Sequence, residues 1–251
     1  MPIAADIRAE AERLTASAAT AGIGLRLMGG LAVWIVSPSV RVPPFARDYA
    51  DLDFAVRGGD SRAVTPFLEA AGYLPERLFN SIHGAQRLNF AHPTGLWTID
   101  VVVDELRMSH LINLRGRLDP GRRTIDLADL LLTKLQVWEI NAKDLGDITC
   151  LLADRPLAGS GPGDGEAIDL ARIVALTGAD WGICHTLEKN LRQVASFAHE
   201  RGPMGARFDP VQQAEALLAA IAAAPKSMAW RLRARVGERV RWYETPEEVR
   251  H

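Results

Sequence analysis

Two aspartates separated by a single residue stand in the apolar segment Asp51–Val56, which reads DLDFAV. Side chains alternate across a β-strand, so Asp51 and Asp53 share one face and the apolar residues between and after them take the other. Two acids on one face of an apolar strand are costly unless a cationic group lies between them. The pattern is compatible with a solvated edge strand, and it also predicts a divalent-metal site, because hard cations prefer carboxylate oxygens.

A third acid, Asp100, interrupts the apolar segment at residues 96–106, which reads LWTIDVVVDEL. The segment is typical of a strand whose apolar residues line the face opposite Asp100, and an acid in such a run is seldom buried without a partner. If this strand pairs beside Asp51–Val56, Asp100 comes close to Asp51 and Asp53. Three carboxylates around one or two metal ions are the apparatus of phosphoryl transfer.

Gly29 and Gly30 stand between a predicted strand, LRLM at residues 25–28, and a predicted helix, LAVWIV at residues 31–36. Glycines at such a turn allow unusual backbone angles or the close approach of a ligand. A helix that begins there directs its N–H groups toward an anion. A tight turn with no ligand is the alternative that the pair alone leaves open.

The order MGG, a helix, Arg-x-x-x-Asp-Leu-Asp and an isolated Asp on a later strand resembles the nucleotidyltransferase superfamily. The likeness is strongest to AbiEii-type toxins, and the lincosamide and aminoglycoside nucleotidyltransferases are related to them. A second segment at residues 127–152, LADLLLTKLQVWEINAKDLGDITCLL, is similar to the AbiEii-type helical motif. One departure is the connection of 20 residues between Gly30 and Asp51, which is longer than in minimal members of the superfamily.

The resemblance implies an α+β fold in which helices flank a mixed β-sheet and a C-terminal helical bundle follows. It implies that one or two Mg²⁺ ions bind, with a nucleoside triphosphate as co-substrate. The implied metal ligands are Asp51, Asp53 and Asp100, which with Lys134 form the catalytic set. The implied nucleotide-binding residues are Gly29, Gly30, Arg47, Lys134 and Asp147.

Two of these cations have alternative interpretations. Arg47, four residues before Asp51, could bind phosphate or pair with a neighbouring acid. Lys134 lies on a mainly apolar predicted helix, so its stem could extend to the surface, or its ammonium could reach the triphosphate as the resemblance implies. Asp144 and Asp147 are three residues apart and share a helix face, from which one of them could orient Lys134 or Lys143.

Three functions remain open on the sequence. An AbiEii-like toxin would transfer a nucleoside monophosphate to tRNA or another macromolecule, and an antitoxin protein would be its partner. The motif from Lys134 to Asp147 favours this interpretation. An enzyme that modifies an aminoglycoside or lincosamide antibiotic is favoured by the long connection before Asp51. A non-catalytic relic that binds a nucleotide or a partner is the third.

Composition excludes few classes of function. The 251 residues carry a net charge of −2, which gives no overall attraction to nucleic acid. The two cysteines, Cys150 and Cys184, match no metal-ligand spacing and are predicted to be reduced core thiols. The N-terminus lacks the apolar region of a signal peptide, and no apolar run is long enough to span a bilayer, so we expect a cytoplasmic protein that binds no membrane.

A Gly/Pro-rich segment at residues 155–166 predicts a linker between a catalytic domain at residues 1–154 and a helical domain at residues 167–251. Two arginine-rich stretches flank this division, one at residues 115–123 and one at residues 231–241. The first could contact the nucleotide or a nucleic-acid partner, but a solvated loop is favoured because the whole protein is not basic. The second could contact RNA, but a solvated face is favoured because nearby glutamates dilute its charge.

Overall fold

The computed structural model describes residues 3–119, 121–159 and 166–245. The chain divides into two compact units. The first contains the described residues up to Ile35, then Arg47–Leu106 and the described residues of Asn113–Asp126. The second contains Val36–Ala46, Arg107–Ile112 and the described residues from Leu127 onward.

The first unit is built on strands, with helices between them. Its elements are α1 (Ile7–Thr20), β1 (Arg26–Met28), α2 (Gly29–Val36, whose last residue belongs to the second unit), β2 (Asp51–Val56), α3 (Ser61–Ala70), β3 (Leu74–Pro75), α4 (Arg77–His83), β4 (Arg87–Ala91) and β5 (Thr98–Val103). Two short strands, β6 (Glu105–Arg107) and β7 (Leu111–Asn113), form a separate two-stranded sheet, and the residues Arg107–Ile112 of this segment are assigned to the second unit.

Among the described residues, five strands form one mixed sheet in the order β1–β2–β5–β4–β3. The central pair, β2 and β5, is parallel, whereas β1 pairs with β2 and β4 pairs with β5 in antiparallel fashion. One face of the sheet is apolar: Leu27, Leu52, Phe54, Ile99 and Val101 are all essentially inaccessible to solvent. Burial of this face provides the main driving force for folding of the unit.

Residues 73–79, YLPERLF, have the aromatic and apolar content of a strand, and a strand is the prediction from their sequence. This prediction is wrong over most of its length, because only Leu74–Pro75 pair with β4 and Arg77–His83 form α4. Leu78 and Ile82 are four residues apart, which is helical spacing, and both side chains are exposed. Asn80 holds this helix to β4, because its side chain donates to the Asn89 carbonyl and accepts from the Asn89 amide.

The second unit is mainly helical. Its elements are α5 (Leu127–Leu135), α6 (Ala142–Asp154), β8 (Leu157–Ala158), β9 (Ile168–Asp169), α7 (Leu170–Ala179), α8 (Trp181–Arg201), α9 (Pro210–Ala223) and α10 (Met228–Val236). Helix α8 is its centre and contacts each of the other helices from α5 to α10. Asp180 caps its N-terminus, because the Asp180 carboxylate accepts from the Ile183 amide. Leu187 and Leu191, four residues apart on one face of the helix, are buried in the core.

The α+β fold is therefore confirmed, with a mixed sheet flanked by helices and a helical bundle following in the sequence. The helices α5 and α6, which the sequence places in the first domain, lie in the second compact unit. They do so because their buried apolar residues contact α7, α8 and α9. The linker at residues 155–166 stays a prediction, and its residues 160–165 lie outside the described part of the chain.

In the described part of the chain, no helix is both long enough and apolar enough to cross a membrane. Cys150 and Cys184 are free thiols and both are buried. Burial raises the pKa of Cys184 to about 11, so this sulfur stays protonated at neutral pH.

Candidate active site

Pairing of β2 with β5 brings the three predicted metal-binding acids to one face of the sheet. Asp53 lies directly opposite Asp100 in the parallel register, and Asp51 lies opposite Thr98. Residues opposite each other in a ladder point to the same side, and Asp51 and Asp53 share that side because side chains alternate. Asp51 is exposed, and Asp53 and Asp100 are partly exposed. This is the face that the burial pattern leaves polar.

The glycine turn lies against this acidic face. Met28, the last residue of β1, pairs with Asp53, and Gly29 follows with a positive φ of 67° at the start of α2. A Cβ atom on Gly29 would overlap Oδ2 of Asp53. Glycine is therefore required here for two reasons, the backbone angle and the contact with the carboxylate.

Gly30 and Arg47 are also neighbours in the first unit. A Cβ atom on Gly30 would lie 2.8 Å from Nη2 of Arg47 and 3.0 Å from the Tyr49 ring. The Arg47 guanidinium lies over that ring, 4.5 Å from its centroid, and the Arg47 carbonyl accepts from Arg8. The structure thus places the predicted Arg47 beside the predicted glycine turn. Its two roles, as a phosphate ligand or an acid partner, both remain predictions.

Sequence reasoning missed Arg87, the direct partner of Asp100. Its Nε donates to both oxygens of Asp100, at 2.8 and 2.9 Å, and its Nη2 donates to Oδ2 at 2.5 Å. These hydrogen bonds raise the pKa of Arg87 despite its partial burial, and the charge of Asp53 adds to the effect. Alternation in RLNFA indicates that Arg87 and Asn89 share a face, but only the register of β4 on β5 shows that Asp100 lies on it.

In residues 3–119, 121–159 and 166–245, no group of three or more His, Cys, Asp or Glu side chains converges as a metal site would require. Asp51, Asp53 and Asp100 thus share a face without closing around one point. Asp100 is held by a cation of the protein.

Lys134, the fourth predicted catalytic residue, belongs to the second unit, and its side chain is largely shielded from solvent. Its ammonium forms ion pairs with Asp144 at 2.7 Å and with Asp147 at 2.9 Å. Burial by itself would lower the pKa of Lys134, but the charges of Asp147 and Asp144 outweigh it and raise the pKa to about 12. The sequence analysis has one of the two acids orienting Lys134 or Lys143. In the structure both acids bind Lys134, and Lys143 is exposed. A role for Lys134 or Asp147 toward a nucleotide stays a prediction.

Several arginines of the two arginine-rich stretches form ion pairs or hydrogen bonds within the protein. Between residues 115 and 123, Arg115 pairs with Asp104 and Arg122 pairs with Asp126. Near the C-terminus, Arg233 donates to the carbonyls of Gly237 and Val240 and lies over the Trp181 ring. These contacts give the arginines structural roles, and contact with RNA stays a prediction.

No protein-family profile and no curated protein matches the sequence. Among solved structures, the chain is similar to the crystal structure of an antigenic nucleotidyltransferase-like protein from Paracoccidioides brasiliensis. The TM-score is 0.42 and the identity is 13%, over 91% of this chain and 98% of that chain. No functional conclusion follows from a similarity at this level.

Proposed function

We propose that the protein is a nucleotidyltransferase, which transfers a nucleoside monophosphate from a nucleoside triphosphate to an acceptor hydroxyl. The observation that carries this proposal is the face on which Asp51, Asp53 and Asp100 lie, with Gly29 packed against Asp53. A glycine turn beside paired acids provides close approach for a phosphate chain and oxygen ligands for its cation.

The residues fit one Mg²⁺ ion held by Asp51 and Asp53. Both are carboxylates, both lie on the same face of β2, and Asp51 is exposed. When bound, the ion would neutralise phosphate charge and polarise the reacting oxygens. The sequence resemblance adds Asp100 as a third ligand and a second ion, and we keep both as part of the proposal at this point.

In the proposed reaction, the acceptor oxygen attacks the α-phosphorus and forms the new P–O bond. The bond from the α-phosphorus to the oxygen that bridges it to the β-phosphorus breaks, and pyrophosphate leaves with that electron pair. The hydroxyl proton needs an acceptor, and Asp100, beside Asp53, is the candidate. Asp100 therefore has two proposed roles, as a metal ligand or as a proton acceptor.

For the acceptor, we propose RNA, with tRNA first, in the manner of an AbiEii-like toxin with an antitoxin partner. The support is the resemblance of the segment from Lys134 to Asp147 to the AbiEii-type helical motif. The longer connection before Asp51 supports the second candidate, a small-molecule antibiotic acceptor.

The test offers α-labelled nucleoside triphosphates with Mg²⁺ to the wild-type chain, with total RNA, total protein and a panel of aminoglycosides and lincosamides as acceptors. We expect label on RNA, and no label with EDTA or with Asp53→Asn. Asp104→Asn is the matched control, because Asp104 is an acid of the same unit that binds the Gly58 amide and Arg115. Label on an antibiotic alone would select the second candidate.

Binding of nucleotide without transfer to any acceptor class would contradict the enzyme and support the non-catalytic alternative. If the nucleotide does not bind at all, the proposed function is wrong in every form.

A further inference from the structure

Helix α10, in the second unit, buries none of its residues. Its aliphatic side chains Met228, Leu232 and Val236 are 71%, 54% and 39% exposed. They are spaced four residues apart, so they form one row along the helix. In α8, by contrast, the apolar row is buried in the core. A row of aliphatic side chains on an accessible helix face is typical of a surface that binds a partner.

Other residues of α10 join the helix to its unit. Ser227 caps the N-terminus: its side chain accepts from the Trp230 amide and donates to the Ala179 carbonyl. Arg233 lies over the Trp181 ring of α8, 4.7 Å from its centroid, and donates to two carbonyls of the turn that follows α10. The helix is thus fastened to α7 and α8 while its aliphatic row stays accessible.

A row of positive charge runs beside the aliphatic row. Arg231 is three residues after Met228 and Arg235 is three residues after Leu232, so each arginine neighbours an aliphatic side chain. Both arginines are exposed, and α10 contains no acidic residue. Glu238, which follows the helix, binds His185 instead. The accessible face of α10 is therefore aliphatic along one row and basic along the next.

We propose that this α10 face, formed by Met228, Leu232, Val236, Arg231 and Arg235, docks an acidic amphipathic helix of a partner protein. Aliphatic side chains of the partner would pack on the aliphatic row, and its Asp and Glu residues would lie beside the two arginines. An amphipathic helix that binds through residues three and four apart is a common mode of recognition. The row spans about 12 Å, or two helical turns, which matches such a partner. This inference does not rest on the proposed function.

Charge complementarity favours this occupant over three others. A second copy of the chain, packed through the same face, would add two arginines and no acid. RNA would neutralise the arginines but leave the aliphatic row without a counterpart, since RNA-binding surfaces stack bases on aromatic rings. A lipid surface binds helices with a larger apolar face, often with Trp or Phe, whereas the α10 face offers three aliphatic side chains.

The experiment selects binders from a displayed library of random peptides, each about 20 residues long, with the full-length chain as bait. We expect the enriched peptides to be acidic and to carry apolar residues three and four positions apart. An enriched peptide is then labelled with fluorescein, and its Kd for each variant is measured by fluorescence anisotropy. Leu232→Ser and Arg235→Glu should each raise this Kd roughly tenfold or more.

Two exposed residues outside α10 provide matched controls in the same unit. Met204→Ser removes a fully exposed aliphatic side chain, and Lys143→Glu reverses an exposed positive charge. Both should leave the Kd of the peptide within about twofold of the wild-type value. Because all four substitutions are at accessible positions, we expect the variants to fold, and thermal melting checks this.

The inference is overturned if no peptide is enriched, if the enriched peptides are not acidic, or if they bind folded Leu232→Ser and Arg235→Glu as tightly as the wild type. Oligouridine and vesicles of equal parts phosphatidylcholine and phosphatidylglycerol test the other classes of partner. Binding of either probe that Arg235→Glu abolishes, with no acidic peptide selected, would assign the α10 face to nucleic acid or lipid and refute the docking site.

Discussion

The two units each combine aspartates with a cation, and they use them in opposite ways. In the first, Asp51, Asp53 and Asp100 lie on an accessible sheet face with Arg87 on one of them. In the second, Asp144 and Asp147 enclose the buried ammonium of Lys134. A buried cluster of ion pairs is suited to joining helices, whereas carboxylates on an accessible face are suited to binding a cation and, through it, a phosphate chain.

The largest expected effect is on catalysis at the accessible face. Asp100→Asn should lower the rate of nucleotide transfer about 10²–10⁴-fold, because the acceptor loses its proton acceptor. Nucleotide affinity, measured by calorimetry, should change little, since Asp51 and Asp53 keep the cation. A variant that transfers at the wild-type rate would make Asp100 an ordinary strand acid. Asp104→Asn provides the matched control.

At the closed cluster the expected effect is on stability. Lys134→Met removes the ammonium that the buried Asp147 and the partly buried Asp144 both bind, and it should cost about 3–5 kcal/mol of unfolding free energy. Urea denaturation measures the loss. Lys143→Met, an exposed lysine on α6, is the control and should lie within about 0.5 kcal/mol of the wild type. An equally small loss for Lys134→Met would show that the two clusters do not differ as described.

A smaller effect is expected at the turn beside Asp53. Gly29→Ala should destabilise the chain by about 1–3 kcal/mol, because φ is positive and the new Cβ overlaps the Asp53 carboxylate. Gly22→Ala measures the cost of the backbone angle alone, since φ at Gly22 is 73° and a Cβ there meets nothing within 4 Å. The difference between the two losses is then the cost of the overlap with Asp53. Equal losses for the two variants would show that Asp53 moves aside at no cost. Metal titration of Gly29→Ala then measures how much metal affinity is lost when the new Cβ displaces the Asp53 carboxylate.

The smallest effect concerns pH and the closed interior of the second unit. Burial lowers the pKa of His110 to about 4, although the charge of Asp180 partly opposes the shift, and its Nε2 lies 2.8 Å from Oγ1 of Thr186. The unfolded chain takes up this proton near pH 6.5, so the stability from His110 is complete above that pH and is lost as the pH falls toward 4. At pH 5 the loss should be roughly 2 kcal/mol relative to pH 7.

The measurement is urea denaturation at both pH values for the wild type and His110→Gln. The variant should lack the extra loss, whereas His83→Gln, at an exposed site, should retain it. A wild type and a His110→Gln chain with identical pH dependence would show that the His110 site admits water.

The sequence predicted the local parts of the candidate site. Alternation in DLDFAV gave the face of Asp51 and Asp53, and the glycine pair marked the end of β1. The placement of Asp100 on that face could be predicted only on the condition that its strand pairs beside β2, and the observed register meets this condition. Arg87 could not be found in this way, because its contact depends on how β4 aligns with β5, which is set by the packing of the whole sheet.

Local patterns also failed where the chain leaves the sheet. Residues 73–79 look like a strand because aromatic and apolar residues dominate, but Pro75 has no N–H to continue the ladder and the chain turns into α4. Similarly, the ion pairs of Lys134 with both Asp144 and Asp147 depend on how α5 and α6 pack. Their spacing shows a shared face but not which lysine it meets.

The parallel pairing of β2 with β5 also constrains the order in which the chain folds. Antiparallel β4 and β5 are joined by a short connection, whereas residues 57–97 must be arranged before β5 can lie beside β2. Closing that long loop costs entropy before any ladder contact is gained, so we expect this pairing to form late. A nascent chain that ends before Thr98 carries Asp51 and Asp53 but neither Asp100 nor its strand. The acidic face is thus assembled only when synthesis has passed the third acid, and a prematurely ended chain should be catalytically silent.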